Sequence, residues 1–223
     1  MKINILYEDN HIIVVEKPIN MLSQSDNTND QDLLTAVKEY IKVKYHKPGN
    51  VYLGLVHRLD RPVGGVMVFA RTSKAAARLS KEITEHKVRK YYLAIVNGII
   101  QEDQGTYQDK IKRLPNGNSM ISPDGKEAIL DYKVLARNTK SNKTLVKITL
   151  KTGRHHQIRV QFAYHKHYLC GDQRYGKQDK TQIALFAYRL EFIHPTTKEK
   201  LQFQILPPKI DHWTEFTVSS YVQ

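Results

Sequence analysis

The residues best suited to chemistry stand together in one short stretch of this chain, residues 56–70. Asp60 lies there between two arginines, Arg58 and Arg61, and the five residues from position 66 to 70 are all apolar. That apolar run is typical of a buried strand, and the proline and two glycines before it favour a turn. We therefore expect chemistry at a turn that holds one carboxylate among cations. The alternative is a surface loop in which Asp60 only caps a neighbour or pairs with an adjacent arginine.

The segment His57-Arg58-Leu59-Asp60 resembles the His-Arg-Leu-Asp signature of the RluA-type RNA pseudouridine synthases. In that family the aspartate is the catalytic nucleophile or acid–base residue, and Asp60 is the matching position. The strand that follows, residues 65–70, is similar as well. Many members have Thr-Ser-Gly where this chain has Val63-Gly64-Gly65, so any hydroxyl contact that relatives make there is lost.

A second motif begins at Thr152, where a glycine turn precedes the start of a helix. Two arginines, Arg154 and Arg159, stand close by, and this arrangement suits the binding of phosphate or carboxylate. The segment resembles the family's Thr-Gly-Arg-x-His-Gln-Ile-Arg motif, whose last arginine reaches the catalytic aspartate. The resemblance therefore gives Arg159 a catalytic role beside Asp60, and Arg154 is predicted to bind RNA.

Two weaker motifs complete the resemblance, which runs in the family's order from Ile12 to about Pro208. Residues 90–98 resemble a stretch whose tyrosine contacts the target base, which gives that role to Tyr92. Residues 12–23 contain Lys17-Pro18 and resemble the first family motif, in which the lysine–proline pair shapes a turn beneath the active site. From the residues alone, Tyr92 is better explained as a core tyrosine, whereas for Lys17-Pro18 a plain proline turn is an equal alternative.

The same resemblance predicts how RNA is bound. A base inside stacked RNA is unreachable and must be flipped out, and by resemblance Arg58 fills the gap that it leaves. A planar guanidinium can stack on neighbouring bases and hydrogen-bond them. His57 and Arg61, which flank this position, are predicted to bind RNA with it.

The charge balance points to a polyanionic partner. The chain has 35 Lys and Arg against 22 Asp and Glu, a net charge of +13. These cations are spread over predicted strands, turns and helices instead of one amphipathic helix, which favours nucleic acid over a membrane surface. We expect a monomeric protein whose partner is ribosomal or transfer RNA, with no membrane partner.

Composition indicates an ordinary soluble globule, with 40% hydrophobic and 26% charged residues. No apolar run approaches the roughly 20 residues of a membrane span. Residues 1–8 become acidic before an apolar signal-peptide core could form, so we expect a cytoplasmic protein. Cys170 is the only cysteine, which excludes an intramolecular disulfide, and we expect it to fill space in the core.

Two rival functions remain open at this stage. A metal-dependent phosphodiesterase would use a histidine cluster, but no acidic residue stands at the usual partner spacing, and the first two histidines would point apart if helical. The cluster consists of His155, His156, His165 and His167. A catalytically inactive RNA-binding module is the other rival, and the joint presence of Asp60, Tyr92 and Arg159 argues against it. We expect no metal, nucleotide or redox cofactor.

The pattern predicts an α+β protein, a single catalytic domain over residues 1–223 with no separate N-terminal RNA-binding domain. Its core is a large mixed, mostly antiparallel β-sheet flanked by helices, as in the pseudouridine synthase fold. Helices are expected from Asp32 to about Tyr45 and from Thr72 to about Glu85, each capped by its first residue. Strands are expected at residues 3–7, 12–15, 51–56, 66–70, 88–98, 105–111, 128–136, 144–150, 189–193 and 201–205.

Overall fold

The computed structural model describes residues 3–28, 30–177 and 179–222. Within these residues it contains eleven β-strands and three α-helices, which confirms the α+β class. The strands are β1 Ile5–Glu8, β2 Ile12–Lys17, β3 Gly54–Leu55, β4 Gly64–Ala70, β5 Arg89–Asn97, β6 Gln104–Arg113, β7 Ser119–Ile121, β8 Lys126–Asn138, β9 Lys143–Leu150, β10 Leu185–Ile193 and β11 Lys200–Gln204. The helices are α1 Leu33–Lys44, α2 Ser73–Thr84 and α3 Gln157–Tyr164, and two short 3-10 helices follow at Asp211–Glu215 and Val218–Ser220.

The chain divides into two compact units that interleave along the sequence. The first contains Met1–Val88 and Arg189–Ile205, and the second contains Arg89–Tyr188 and Leu206–Gln223. Strand β10 contributes its first four residues to the second unit and the rest to the first.

The first unit is built on antiparallel strands. Strand β2 pairs with β1 and with β4, β3 also pairs with β4, and β10 pairs with β11. Every residue of β4 is buried, as its apolar sequence predicts. The inward residues of these strands pack with α2 into one core that contains Ile12, Val14, Val66, Val68, Ala70, Ala75, Leu79, Val88, Leu190 and Phe192.

The second unit is an antiparallel sheet with the strand order β5-β9-β8-β6-β7. Helix α3 covers one face of this sheet, where the ring of Phe162 lies 6.0 Å from that of Tyr132. Val160 of the same helix packs against Ile111 and Ala128. Alternate residues of β8 from Leu130 to Val134 are buried, as is typical of an antiparallel sheet with one covered face.

Local structure follows the sequence closely, but strands β3, β7 and β10 differ from the prediction. Strand β3 forms only at Gly54–Leu55 within the expected range 51–56. Strand β7 occupies a segment between two turns where no strand was expected, and it is held by pairing with β6 instead of by its own pattern. Strand β10 begins at Leu185, four residues before the predicted start. Trp213 and Cys170 are buried, as expected of packing residues.

Candidate active site

The loop that carries Asp60 is fixed in the first unit through its buried neighbour Leu59. The hydroxyl of Ser23 accepts the Leu59 N–H at 3.1 Å and donates to the Leu59 carbonyl at 2.7 Å. Two residues earlier, Nε2 of His57 accepts the N–H of Val68 in β4 at 3.1 Å. The backbone on the N-terminal side of Asp60 is therefore held by buried polar contacts from two directions.

Lys17 holds the other side of the same loop. It is fully buried at the end of β2, and its ammonium donates to the carbonyls of Pro18, Met21 and Arg61. Three carbonyls match the three N–H groups of an ammonium. Burial lowers the pKa of Lys17 to about 7, the negative charge of Asp60 opposes this, and Arg61 adds to it. The lysine–proline pair is thus an anchor between two loops as well as a turn.

These anchors set the exposure of the signature side chains. Arg58 is exposed, Leu59 is buried and Asp60 is half-buried. The carbonyl of Asp60 accepts the N–H of Val63 at 3.0 Å, which closes the predicted turn. The guanidinium of Arg61 forms an ion pair at 2.6 Å with Asp30, and both side chains are about half exposed.

In the second unit Arg159 forms a buried two-pronged ion pair with Asp172. Its Nε donates to Oδ2 at 2.9 Å and its Nη2 to Oδ1 at 2.7 Å. Asp172 also accepts the N–H groups of Arg174 and Tyr175 at 2.9 and 3.1 Å. Burial raises the pKa of Asp172, but Arg159 and these N–H groups outweigh it, so the pKa lies below its ordinary value.

The Arg159–Asp172 pair is a contact that sequence reasoning missed. No spacing pattern in the sequence indicates Asp172 as the partner of Arg159, since thirteen positions and a turn separate them. The expected pairing of Arg159 with Asp60 stays a prediction. The Arg159 guanidinium also lies 5.3 Å from the ring centroid of Tyr175, so its position is set on more than one side.

The glycine turn before α3 is held by the first residue of that helix, Gln157. Its Oε1 accepts the Thr152 hydroxyl at 2.8 Å and the Arg154 N–H at 2.9 Å. The turn was expected to suit phosphate, but the Arg154 N–H is already bound by this side chain. The Arg154 side chain donates through Nε to the carbonyl of Glu127 at 2.7 Å.

The histidines that precede α3 do not point apart. The helix begins at Gln157, so His155 and His156 lie outside it, and their ring centroids are 3.7 Å apart. His156 has a left-handed backbone (φ 55°), which brings the two rings together. Nδ1 of His155 is 3.0 Å from the Ser119 hydroxyl, and Nδ1 of His156 is 2.7 Å from the Tyr175 hydroxyl. Among the described residues no group of three or more His, Cys, Asp or Glu side chains is placed to hold a metal ion.

Strand register places Tyr92 on the face of the sheet that α3 covers. Tyr92 pairs with Ile148, and Ile148 pairs with Tyr132, so all three side chains project to one face. Tyr132 contacts Phe162 of α3 on that face. Tyr92, which is buried, and the helix of Arg159 therefore share one face of the second unit.

Comparison with known proteins decides the family. The family model described as RNA pseudouridylate synthase matches residues 11–164. The chain belongs to the RNA pseudouridine synthase family. An uncharacterized RNA pseudouridine synthase of Aquifex aeolicus (strain VF5) is 37% identical over 221 residues, which cover 93% of this chain and 70% of that protein. The chain is thus an RNA pseudouridine synthase, an isomerase, and the expected family is confirmed.

Other relatives agree. The ribosomal large subunit pseudouridine synthase C of Buchnera aphidicola subsp. Schizaphis graminum (strain Sg) is 34% identical, over 89% of this chain and 65% of that protein. The solved structure of human RNA pseudouridylate synthase domain containing 4 has a TM-score of 0.78 at 21% identity, covering 92% of this chain and 89% of that chain, and shows the shared fold. No helix in the described part of this synthase has both the length and the apolar character of a membrane span.

Proposed function

We propose that this synthase isomerises specific uridines in ribosomal RNA, with Asp60 as the catalytic aspartate. The observation that carries the proposal is the anchoring of the signature loop, where Ser23 and Lys17 hold the backbone on both sides of a half-buried Asp60. A catalytic group needs such a fixed position. Relatives named for the ribosomal large subunit favour ribosomal RNA, and transfer RNA is the second class to test.

The reaction is a rearrangement in which nothing is added overall. The bond between uracil N1 and ribose C1′ breaks, the base turns, and C5 bonds to C1′. C5 loses its proton and N1 gains one, so the product is an isomer. Asp60 would either attack the sugar covalently or remove a sugar proton, and both mechanisms need its carboxylate.

RNA binding follows from the same loop. Extruding a base from a stack costs about a few kcal/mol, and Arg58, exposed next to the anchored Leu59, is proposed to fill the gap. His57, Arg61 and Arg154 are proposed to contact RNA around it.

The remaining catalytic roles rest on the family resemblance. Tyr92 is proposed to contact the target base, and Arg159 is proposed as the cation that acts with Asp60. We further propose that residues 1–223 act as one catalytic domain, as a monomer, in the cytoplasm, where ribosomal RNA is found.

Asp60→Asn tests the proposal because it removes the carboxylate charge while conserving shape. The protein and its variant are incubated with large-subunit ribosomal RNA transcribed in vitro, and pseudouridine is quantified. We expect the variant to form none while its RNA affinity stays within about threefold, since phosphate contacts dominate affinity.

Glu39→Gln is the matched control, because Glu39 is an exposed carboxylate on α1 of the same unit and makes no hydrogen bond or ion pair with the described residues. We expect it to keep full turnover. Measurable pseudouridine formation by Asp60→Asn would refute the catalytic assignment, and absence of product with the unchanged protein on both ribosomal and transfer RNA would refute the proposed substrates.

A further inference from the structure

Lys90 has no counter-charge among the residues that the structure describes. It is the second residue of β5 and is half-buried, and among the described residues no group accepts a hydrogen bond from it or forms an ion pair with it. Burial lowers the pKa of Lys90 because its charged form loses water without gaining a partner. The half-buried ammonium therefore has room in its hydrogen-bonding shell for a negatively charged ligand.

Lys90 lies on the same face of the second unit's sheet as Tyr92. Side chains alternate along a strand, so Lys90 and Tyr92 project to the same side of β5, about 7 Å apart. Tyr92 pairs with Ile148 on the sheet face that α3 covers, and Lys90, which pairs with Leu150, is the next residue of β5 on that face. Lys90 therefore lies beside the tyrosine proposed to contact the target base.

A glycine leaves room for the ammonium. A Cβ atom built on Gly153 would lie 3.3 Å from Nζ of Lys90. Gly153 stands between Thr152 and Arg154, and both of these are bound by the Gln157 side chain. The Lys90 ammonium thus lies close to the Thr152–Arg154 turn at Gly153, the residue of that turn without a side chain.

We propose that Lys90 binds a backbone phosphate of the RNA next to the target uridine, in the space that Gly153 leaves open. This inference rests on the proposed function. A phosphate supplies the missing negative charge and accepts the N–H groups of the ammonium.

The test compares Lys90→Met with Arg89→Met. Arg89 precedes Lys90 on the opposite side of β5 and is exposed, so the control removes the same charge one residue away. RNA affinity is measured at several salt concentrations on an unmodified large-subunit ribosomal RNA transcript. We expect Lys90→Met to weaken binding about tenfold and to flatten the slope of log affinity against log salt by about 0.7 to 0.9, and Arg89→Met to leave both near the unchanged values.

Gly153→Ala provides a second variant that keeps the charge. Its methyl group would lie 3.3 Å from the ammonium and narrow the space for a phosphate there, so we expect weaker RNA binding. We expect the double variant with Lys90→Met to be no weaker than Lys90→Met alone. The thermal midpoint of Lys90→Met should not fall, because the residue has no partner to lose within the described chain.

The outcomes separate the two proposals. Pseudouridine formation by the unchanged protein on the same RNA tests the proposed function, whereas the salt titration tests Lys90. If Lys90→Met keeps the affinity and slope of the unchanged protein but loses turnover, Lys90 acts in proton transfer and the phosphate contact is wrong. Equal effects of Lys90→Met and Arg89→Met on RNA affinity and on the salt slope would also overturn the proposed phosphate contact.

Discussion

At the scale of single residues, burial decides what an ion pair contributes. Arg159–Asp172 and Arg137–Asp103 both join a guanidinium Nη2 to Oδ1 at 2.7 Å. The Asp172 side chain is fully buried, whereas 83% of the Asp103 side chain is exposed. Removing one partner of the buried pair leaves a charge that water cannot reach, which the exposed pair avoids.

Asp172→Asn should therefore lower the free energy of unfolding by about 3 to 5 kcal/mol at pH 7. Asp103→Asn is the matched control and should change it by less than about 1 kcal/mol. Chemical denaturation of both variants measures the difference. Equal small effects would show that the buried pair contributes no more than a surface pair.

The same pair predicts a pH dependence with a definite sign. The pKa of Asp172 in the folded protein lies below its ordinary value of 3.8, so the unfolded chain takes up the proton first as pH falls. The stability that Asp172 contributes is complete above about pH 4 and is lost below it. The difference between the unchanged protein and Asp172→Asn should shrink as denaturation is repeated from pH 7 down to pH 3. A constant difference would contradict this assignment.

At the scale of elements, helix starts are encoded by single side chains. The carboxylate of Asp32 accepts the N–H of Thr35 at 3.0 Å, and the hydroxyl of Thr72 accepts the N–H of Ala75 at 3.1 Å. Both residues have extended backbone and precede α1 and α2, where the sequence predicted caps.

Thr72→Ala should destabilise the protein by about 1 kcal/mol, because the Ala75 N–H loses its acceptor. Ser73→Ala is the control, since Ser73 is exposed in the first turn of the same helix, and it should stay within about 0.5 kcal/mol. Thermal and denaturant unfolding measure both. If the Thr72 cap contributed nothing to stability, both variants would have the same free energy of unfolding.

Strand β5 shows why register matters for the site. Lys90 and Tyr92 share one face with their partners on β9, while Tyr91 projects to the other side and contacts Tyr188. A slip of one residue would exchange these faces. Strand pairing therefore decides that Tyr92, and not Tyr91, lies on the face of the sheet that α3 covers.

At the scale of the whole molecule, the excess of 13 positive charges should govern RNA affinity. We expect affinity for unmodified ribosomal RNA to fall about a thousandfold between 50 and 200 mM salt if about six phosphates are contacted. A neutral-backbone oligonucleotide of matching sequence is the control and should show little salt dependence. A flat salt response with the RNA would mean that phosphates are not the main contacts.

Much of the local structure was predictable from the amino-acid sequence alone. Helix caps, amphipathic helices and the wholly apolar strand β4 depend on residues only a few positions apart, so they can be predicted from the sequence. The motifs also identified Asp60, Tyr92 and Arg159 as candidates, and the family they indicated is confirmed.

Only the tertiary structure decided which side chains meet within each unit. Lys17 binds the carbonyl of Arg61 across 44 positions, Arg159 binds Asp172 in a different segment, and the ammonium of Lys90 lies against Gly153. No local pattern encodes these contacts, because they depend on how strands pair and how helices pack. Burial then fixes their strength, since the same charges interact far more strongly when water is excluded.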